Sequence, residues 1–549
     1  RAGVTVAAMS RVLFTGGPII TFDGTVATAL AVDGDRIVAI GNDALDWTAS
    51  FDEVVQLSGR PLLPAFRDGH AHPMHAGMNR RALDLTGVDS LAEVLARVRE
   101  WAAAHPHDAW IVGHCYAPTV LPGGMGLAEW LDTACADRPV VMYPTDYHAL
   151  WANSAALAVG DLTASTPEPA LGTIVRHADG TPTGMLLEHG AMGLVERHLP
   201  ATDAATYAAG LDEAMRCLSS EGIVWAQDAS LSLAELAVYT DGARRGVATC
   251  RINGALRADP GHWVQQRPGF NAARNELAGD TATAAWVRAD TIKFFADGVI
   301  EAGTGYLLEP YEDAAHTCGL PNWSADGLKE AVRAFDADGF QIHIHAIGDA
   351  GVRMALDAIE HAAARNGRRD RRPVIAHTQL VHPADHQRFA ALGVVANFEP
   401  LWACLDDSQV DLTFPRLGPT RSALQYPIGT LARSGARVSF GSDWPVSSHR
   451  PLDGLAVAVT RRNALGQPVD GWLPDERLPI LQAIHAYTAG TAYQAFDDDA
   501  DALRVGARAD LVVLDRDITS IAGDEVPGAS VDETWVNGVR VHHREMAGR

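Results

Sequence analysis

Lysine is almost absent from this chain of 549 residues, in which Lys293 and Lys329 are the only lysines among 44 basic residues. Arginine therefore carries nearly all of the positive charge. Lys293 lies inside an apolar run, Thr291-Ile292-Lys293-Phe294-Phe295, where an unpaired ammonium group is costly to bury. A rare residue in an unfavourable position indicates a specific role for that side chain.

Cysteine is also scarce, and the six cysteines show no C-x-x-C spacing: they are Cys115, Cys135, Cys217, Cys250, Cys318 and Cys404. This pattern favours free thiols in a reducing compartment over a disulfide framework. No apolar run reaches the length of a membrane span, and residues 1–11 lack the apolar core of a signal peptide. We therefore expect a cytoplasmic protein without a membrane partner.

An excess of positive charge is missing as well, because the formal net charge is −24. Such a chain is repelled by the phosphates of nucleic acids and by anionic lipid surfaces. The composition, 47% hydrophobic and 20% charged, is typical of a globular protein. We expect a small molecule as the substrate, no nucleic acid as a partner, and a homodimer as the ordinary oligomeric state.

Both ends of the chain show short strand-like segments joined by turns. Asp23-Gly24 and Asp33-Gly34 near the start, and Asn537-Gly538 near the end, are typical hairpin turns. The sequence therefore predicts a composite β-sandwich domain made of residues 1–61 and 495–549.

The middle of the chain, residues 62–494, alternates strands with helices such as Gly327–Ala337 and Ala350–Asn366, which is typical of parallel βα units. Eight predicted strands match the number in a closed TIM-type α/β barrel: Leu62–Phe66, Ile223–Gln227, Cys250–Asn253, Thr291–Phe295, Gln341–His345, Val374–His377, Val394–Asn397 and Arg437–Ser442. Residues 75–215 exceed one βα unit and predict a large insertion that covers the active site. Pro139–Tyr143 inside it is open to a second interpretation, as a surplus barrel strand.

Residue types that bind metals lie at the ends of these strands. His70 and His72 are two positions apart at a strand end, so their side chains point to the same face and form half a metal site. A surface turn with two solvated histidines is the alternative. Active sites of barrels lie at the carboxyl ends of the strands, and four further candidate ligands are found there: Lys293, His345, His377 and Asp443.

Lys293 is the unusual member of this set. A buried lysine titrates low, and the neutral amine can react with carbon dioxide to form a carbamate that bridges two metal ions. The alternative is an ion pair with a carboxylate such as Asp297. We favour the carbamate.

Two further assignments follow from position. His345 lies nearer the strand end than His343, so we assign the metal to His345 and a supporting place to His343. Asp443 suits a general base that takes a proton from water and delivers it to a leaving group. The alternative for Asp443 is a turn residue, because Ser442-Asp443-Trp444-Pro445 also fits a turn.

Five motifs together resemble the amidohydrolase superfamily of metal-dependent hydrolases, in its amidohydrolase-3 branch, which includes N-substituted formamide deformylases. The motifs are Asp68-Gly69-His70-Ala71-His72, His148-Ala149-Leu150-Trp151-Ala152-Asn153-Ser154, Lys293-Phe294-Phe295-Ala296-Asp297-Gly298, His345-Ala346-Ile347-Gly348-Asp349 and Gly441-Ser442-Asp443-Trp444-Pro445. Gly506-Ala507-Arg508-Ala509-Asp510-Leu511 resembles the family's return into the β domain. Arg67 departs from the small or apolar residue that is usual before the aspartate, and we expect it to alter the entrance of the site.

The resemblance implies a (β/α)8 barrel with a small β-sandwich and one or two divalent ions, zinc or another transition metal. It further implies a hydrolase acting on a C–N bond other than a peptide bond, in an amide-like substrate such as an N-substituted formamide, through a metal-activated water. Expected substrate contacts are His148, Trp151, Glu188 and Trp444, with ordinary packing as the alternative for the two tryptophans. An esterase or lactonase using the same metal site is the second hypothesis, and a non-catalytic barrel scaffold is the third.

Overall fold

The computed structural model describes residues 10–22, 25–47 and 50–545, so the predicted turn at Asp23-Gly24 lies outside the described residues. Eight parallel strands, hydrogen-bonded to one another in chain order, form a nearly closed barrel. In order these strands are Phe66–Ala71, Ile223–Leu231, Arg251–Arg257, Val287–Phe295, Gln341–Ala346, Val374–His377, Val395–Phe398 and Arg437–Phe440. The predicted α/β barrel is thus confirmed in its strand count and direction.

The first barrel strand was placed wrongly by the sequence pattern, because it is Phe66–Ala71 and not Leu62–Phe66. Leu62–Pro64 pairs antiparallel with Leu511–Leu514 in the sheet that contains the chain ends. The chain changes sheets at Ala65, whose N–H donates to the carbonyl oxygen of Asp510. Two short buried strands that follow one another directly look like one apolar run in a sequence.

The seam between the eighth and first barrel strands is closed just beyond the strand ends. The backbone N–H groups of Ser442 and Asp443 donate to the carbonyl oxygen of His70 at 3.1 and 2.7 Å. The same backbone positions that complete the barrel therefore carry two of the predicted ligands.

Strands from both ends of the chain form a second sheet. Its order is Val539–His543, Val531–Val536, Leu511–Leu514, Leu62–Pro64, Arg11–Ile20, Val26–Asp33 and Arg36–Ile40, with Glu53–Gln56 paired to Arg11–Ile20. One face of this sheet carries its own apolar cluster, which includes Phe14 and Trp535. The domain boundaries 1–61 and 495–549 stay a prediction.

Between the first and second barrel strands the chain forms a third sheet. Its six strands are ordered Thr173–Arg176, Pro182–Leu187, Ala149–Ala152, Val140–Pro144, Ile111–Tyr116 and Leu83–Asp84. Because Val140–Pro144 pairs inside this sheet, the surplus barrel strand considered for Pro139–Tyr143 is excluded. The boundaries 75–215 of the insertion stay a prediction.

Helices connect the strands, and most begin at a residue whose side chain satisfies the first backbone N–H groups. Ser324, for example, accepts from Gly327 N, so the helix begins at Ala325, two residues before the predicted start. The α-helices are Asn42–Leu45, Pro73–Asn79, Leu91–Ala104, Ala128–Asp132, Ser154–Val159, Glu188–Glu196, Ala204–Ser220, Leu233–Arg245, Trp263–Gly279, Thr281–Ala284, Ala325–Ala337, Asp349–Asn366, His386–Leu392, Phe414–Ser422, Ile428–Arg433, Pro451–Thr460, Ile480–His485 and Thr491–Gln494. Within the described ranges, no helix combines the length and apolar character that crossing a bilayer requires.

Candidate metal centre

The carboxyl end of the barrel brings the predicted ligand residues together. The ring centroid of His377 lies 4.6 Å from that of His70 and 4.5 Å from that of His345. Lys293 Nζ is 3.5 Å from His70 Nε2. Side chains from the first, fourth, fifth and sixth strands thus meet at one place, as expected where parallel strands end.

His70, His72 and Asp443 form the tightest part of this cluster, because one ligand atom of each lies within 4.8 Å of the others. Asp443 Oδ1 is 3.0 Å from His72 Nε2 and 3.6 Å from His70 Nε2. Although buried, this oxygen accepts no hydrogen bond of suitable geometry from the described residues, in spite of its closeness to His72. Two imidazole nitrogens and a free carboxylate oxygen are the donors that zinc and similar ions bind. The residues therefore fit a divalent ion.

Burial and mutual proximity set the protonation of the cluster. Burial, assisted by the nearby Lys293, lowers the pKa of His70 well below its usual value. The same effect, assisted by His377, lowers the pKa of His345. Burial alone would raise the pKa of Asp443, but contact with His72 and the nearby His377 and Lys293 together outweigh burial, so this pKa is lowered. Neutral imidazoles and an ionised carboxylate are the forms that bind metal ions.

Lys293 is fully buried, and burial lowers the pKa of its amine to about 7. Its Nζ lies 4.5 Å above the ring of Phe295. The alternative partner, Asp297, is used elsewhere, because its carboxylate accepts from the backbone N–H groups of Tyr306, Ile347 and Gly348. The structure therefore does not support an ion pair between Lys293 and Asp297.

In His377 and in His345, a hydrogen bond at one ring nitrogen determines that the other nitrogen is free to bind a metal ion. His377 Nδ1 lies 2.9 Å from Glu399 Oε2, and His345 Nε2 lies 3.1 Å from the carbonyl oxygen of Gly298. A histidine that donates one N–H to an oxygen presents its other nitrogen as a lone pair. His377 thus offers Nε2, and His345 offers Nδ1.

Sequence reasoning missed Glu399 and the role of Trp402. Glu399 directly follows the seventh strand and is buried. Trp402 stacks on His377, with ring centroids 5.4 Å apart and planes 3° from parallel. The rule that functional groups end barrel strands would have identified Glu399, because Asn397-Phe398-Glu399 closes the seventh strand.

Asp68, which opens the motif Asp68-Gly69-His70-Ala71-His72, connects two segments of the candidate site. Its carboxylate accepts from His70 N at 3.1 Å, from Ser442 N at 3.0 Å and from the Ser442 hydroxyl. Burial raises the pKa of Asp68 to about 7. Asp68 therefore ties the segment that carries His70 to the segment that carries Asp443.

His148 and Glu188, two of the predicted substrate contacts, reach the cluster from the third sheet. His148 Nδ1 lies 3.1 and 3.0 Å from the two carboxylate oxygens of Glu188. The ring of His148 is 5.1 Å from that of His345. Burial lowers the pKa of His148, but Glu188 outweighs this effect and raises it to about 9.

The two predicted tryptophan contacts lie in packed cores instead. Trp151 is fully buried within the third sheet, where its Nε1–H donates to the carbonyl oxygen of Leu127 and its ring packs on Tyr116. Trp444 lies next to Asp443, but its ring packs against His449 at 4.3 Å. These positions favour ordinary packing for both side chains, because an indole whose faces are covered is not available to a substrate.

Arg67 does not line the entrance, contrary to the expectation from the sequence. Its guanidinium contacts Asp497 at 2.9 Å and Asp510 at 3.5 Å, and Asp510 also binds Arg251. These partners lie beside the sheet of the chain ends. Arg67 precedes His70 by three residues in the same strand, so it lies toward the opposite end of the barrel.

A parallel barrel whose strand ends gather histidines, a lysine and an aspartate around one point is the architecture of a metal-dependent hydrolase. The chain belongs to the amidohydrolase family, whose sequence pattern matches residues 53–542.

Two named proteins and one solved structure illustrate the similarity. The chain is 29% identical to the protein LONG AFTER FAR-RED 3 of Arabidopsis thaliana, over 97% of this chain and 92% of that protein. It is 26% identical to the N-substituted formamide deformylase of Arthrobacter pascens, over 94% of this chain and 95% of that protein. The structure of an uncharacterised metal-dependent hydrolase from Pyrococcus furiosus superposes with a TM-score of 0.70 at 25% identity, covering 93% of this chain and all of the other.

Proposed function

We propose that this protein hydrolyses a C–N bond in a small amide-like substrate, with N-substituted formamides as the first class to examine. The observation that carries the proposal is the group of His70, His72 and Asp443, whose ligand atoms lie within 4.8 Å of one another. The similarity to a formamide deformylase along nearly the whole chain supports the choice of bond.

A divalent ion bound by His70, His72 and Asp443, with His345 and His377 beside them, would supply Lewis-acid polarisation and activation of water. The protein's own contribution lies in Asp443. Its buried carboxylate, beside His70 and His72, can accept a proton from the attacking water. It can then return that proton to the nitrogen of the departing amine.

Two chromogenic compounds test the bond that is cleaved. The protein is purified without chelator, supplied with zinc, and given 4-nitroformanilide and 4-nitrophenyl acetate in parallel. Amide hydrolysis that falls about 100-fold or more in Asp443→Asn supports the proposal, since removing a general base costs roughly that factor. Ester hydrolysis alone would favour the esterase hypothesis, and no hydrolysis of either compound would contradict the proposal.

Lys293 gives a prediction about metal content. We propose that its carbamate helps to hold a second ion, so protein supplied with bicarbonate should contain two zinc ions per chain and Lys293→Ala one or none. Elemental analysis measures both, and intact mass spectrometry looks for the added carboxyl group. Lys329→Ala, which changes the other lysine, is the control and should match the wild type. Equal zinc content in Lys293→Ala and wild type would leave Lys293 a packing residue.

A further inference from the structure

The pair formed by His148 and Glu188 has no part in the proposed proton transfer, yet the fold holds it against the cluster. His148 directly precedes the strand Ala149–Ala152, and Glu188 directly follows the strand that pairs with it, where Ala149 lies opposite Leu187. Glu188 N also donates to the carbonyl oxygen of His148 at 2.9 Å. Backbone and side-chain contacts thus join the same two residues.

Glu188 reaches this position at a conformational cost. Its φ angle is +62°, in the left-handed region that residues with side chains rarely adopt. The carboxylate also needs the space beside Gly298, because a Cβ added there would lie 2.0 Å from Glu188 Oε1. Strained backbone that the surroundings enforce is concentrated at functional sites.

The orientation of His148 leaves one nitrogen available. Glu188 occupies Nδ1, while Nε2 has no hydrogen bond to any residue in the described ranges and is not sealed from solvent. The side chain is 11% exposed, and its ring lies 5.1 Å from that of His345. The free Nε2 of His148 therefore belongs to a ring that lies beside the candidate metal ligands.

We infer that His148 Nε2 hydrogen-bonds the acyl group of the substrate on the His345 side of the cluster, and that Glu188 positions the ring for this contact. The inference rests on the proposed function, because it requires an acyl compound at the cluster. It makes the third sheet part of the active site, through one histidine whose direction is fixed by one carboxylate. His148 is then a catalytic residue, and Glu188 is a positioning residue.

Binding of acetohydroxamic acid, a small acyl compound, tests the contact without turnover. Calorimetry on zinc-supplied protein should show affinity about tenfold weaker in His148→Ala, the factor that corresponds to one hydrogen bond of ordinary strength. His148→Gln, which keeps an N–H group, should lose less. His114→Gln, which changes another histidine of the third sheet, should bind as the wild type does. Unchanged affinity in His148→Ala, or no binding to the wild type, would overturn the inference.

The positioning role of Glu188 is tested by steady-state kinetics, in which kcat and KM are measured separately. The substrate is whichever of 4-nitroformanilide and 4-nitrophenyl acetate the wild type hydrolyses. Glu188→Ala should lower kcat about tenfold or more at unchanged zinc content, and Glu188→Gln, which still accepts an N–H, should restore much of it. Wild-type kinetics in Glu188→Ala, or a loss that only follows lost zinc, would count against the inference. Failure of the proposed function is recognised separately, since hydroxamate binding that depends on His148 can occur without hydrolysis of either compound.

Discussion

Glu399 is a buried carboxylate that orients the candidate ligand His377 without being a candidate ligand itself. It accepts from His377 Nδ1 at 2.9 Å, and this contact directs His377 Nε2 toward the cluster. The stack of Trp402 on His377 holds the same ring in its plane. Partners of this kind fix the tautomer and the rotation of a metal-binding histidine before the ion arrives.

Glu399→Gln should weaken zinc affinity by about 10- to 100-fold, because loss of such a partner typically has that effect. Competition with a chromogenic zinc chelator measures the affinity. Glu476→Gln is a matched control, since Glu476 binds the backbone N–H and hydroxyl of Thr430, away from the cluster. Equal affinities for both variants would show that His377 keeps its orientation without Glu399.

His114 gives a pH-dependent prediction away from the cluster. Burial lowers the pKa of its imidazole to about 4, below the unfolded value of about 6.5. The unfolded chain therefore binds the proton first as pH falls, and the contribution of His114 to stability is lost progressively between about pH 6.5 and 4, at about 1.4 kcal/mol per unit of pKa difference. In urea unfolding, the free energy of unfolding of the wild type should exceed that of His114→Gln by a margin that shrinks as pH falls through this window. A difference independent of pH would contradict the assignment.

At the scale of elements, the helix that follows His72 depends on close backbone packing. Pro73–Asn79 lies directly on Ala204–Ser220, and a Cβ added at Gly210 would meet Met78 Cγ at 2.6 Å. The position of His72 is therefore coupled to the contact between two helices that are far apart in sequence.

Gly210→Ala should push these helices apart, cost about 1–3 kcal/mol as overpacking usually does, and weaken zinc binding through His72. Gly193→Ala is the control, because a Cβ there meets nothing within 4 Å. Thermal unfolding and zinc affinity are measured on both. A Gly210→Ala protein that unfolds and binds zinc like Gly193→Ala would show that the helices adjust freely.

The sequence predicted the elements that follow simple periodic rules and the residues at their ends. Six residues were predicted as ligands because each lies at or near the end of an apolar strand, and the structure places their side chains near one another: His70, His72, Lys293, His345, His377 and Asp443. Leu62–Phe66 was misplaced because two strands of different sheets share one apolar run. For Trp151 the sequence left both a substrate contact and ordinary packing open, because sequence neighbours do not reveal which side of the third sheet a side chain faces.

At the scale of the whole molecule, buried ion pairs connect the barrel to the sheet of the chain ends. Asp510, in the segment that leads into Leu511–Leu514, binds Arg251 of the third barrel strand at 2.8 Å and Arg67 of the first at 3.5 Å. Arg67 also binds Asp497. Arg67 is therefore part of the connection between the two sheets.

Asp510→Asn should destabilise the protein by about 3–5 kcal/mol, because it leaves Arg251 and Arg67 buried without their shared counter-charge. Asp501→Asn, at an exposed position, should change stability by less than about 0.5 kcal/mol. Urea midpoints compare the two variants. If Asp510→Asn unfolds at the wild-type midpoint, these contacts do not hold the two sheets together.

Closure of the barrel at His70 has a consequence for how the protein is made. The hydrogen bonds that complete the seam join residues up to 374 positions apart, as between Asp68 and Ser442. A nascent chain that has left the ribosome as far as the seventh strand has no Asp443 beside its first histidines. The group of His70, His72 and Asp443 can therefore assemble only after synthesis has passed the eighth strand.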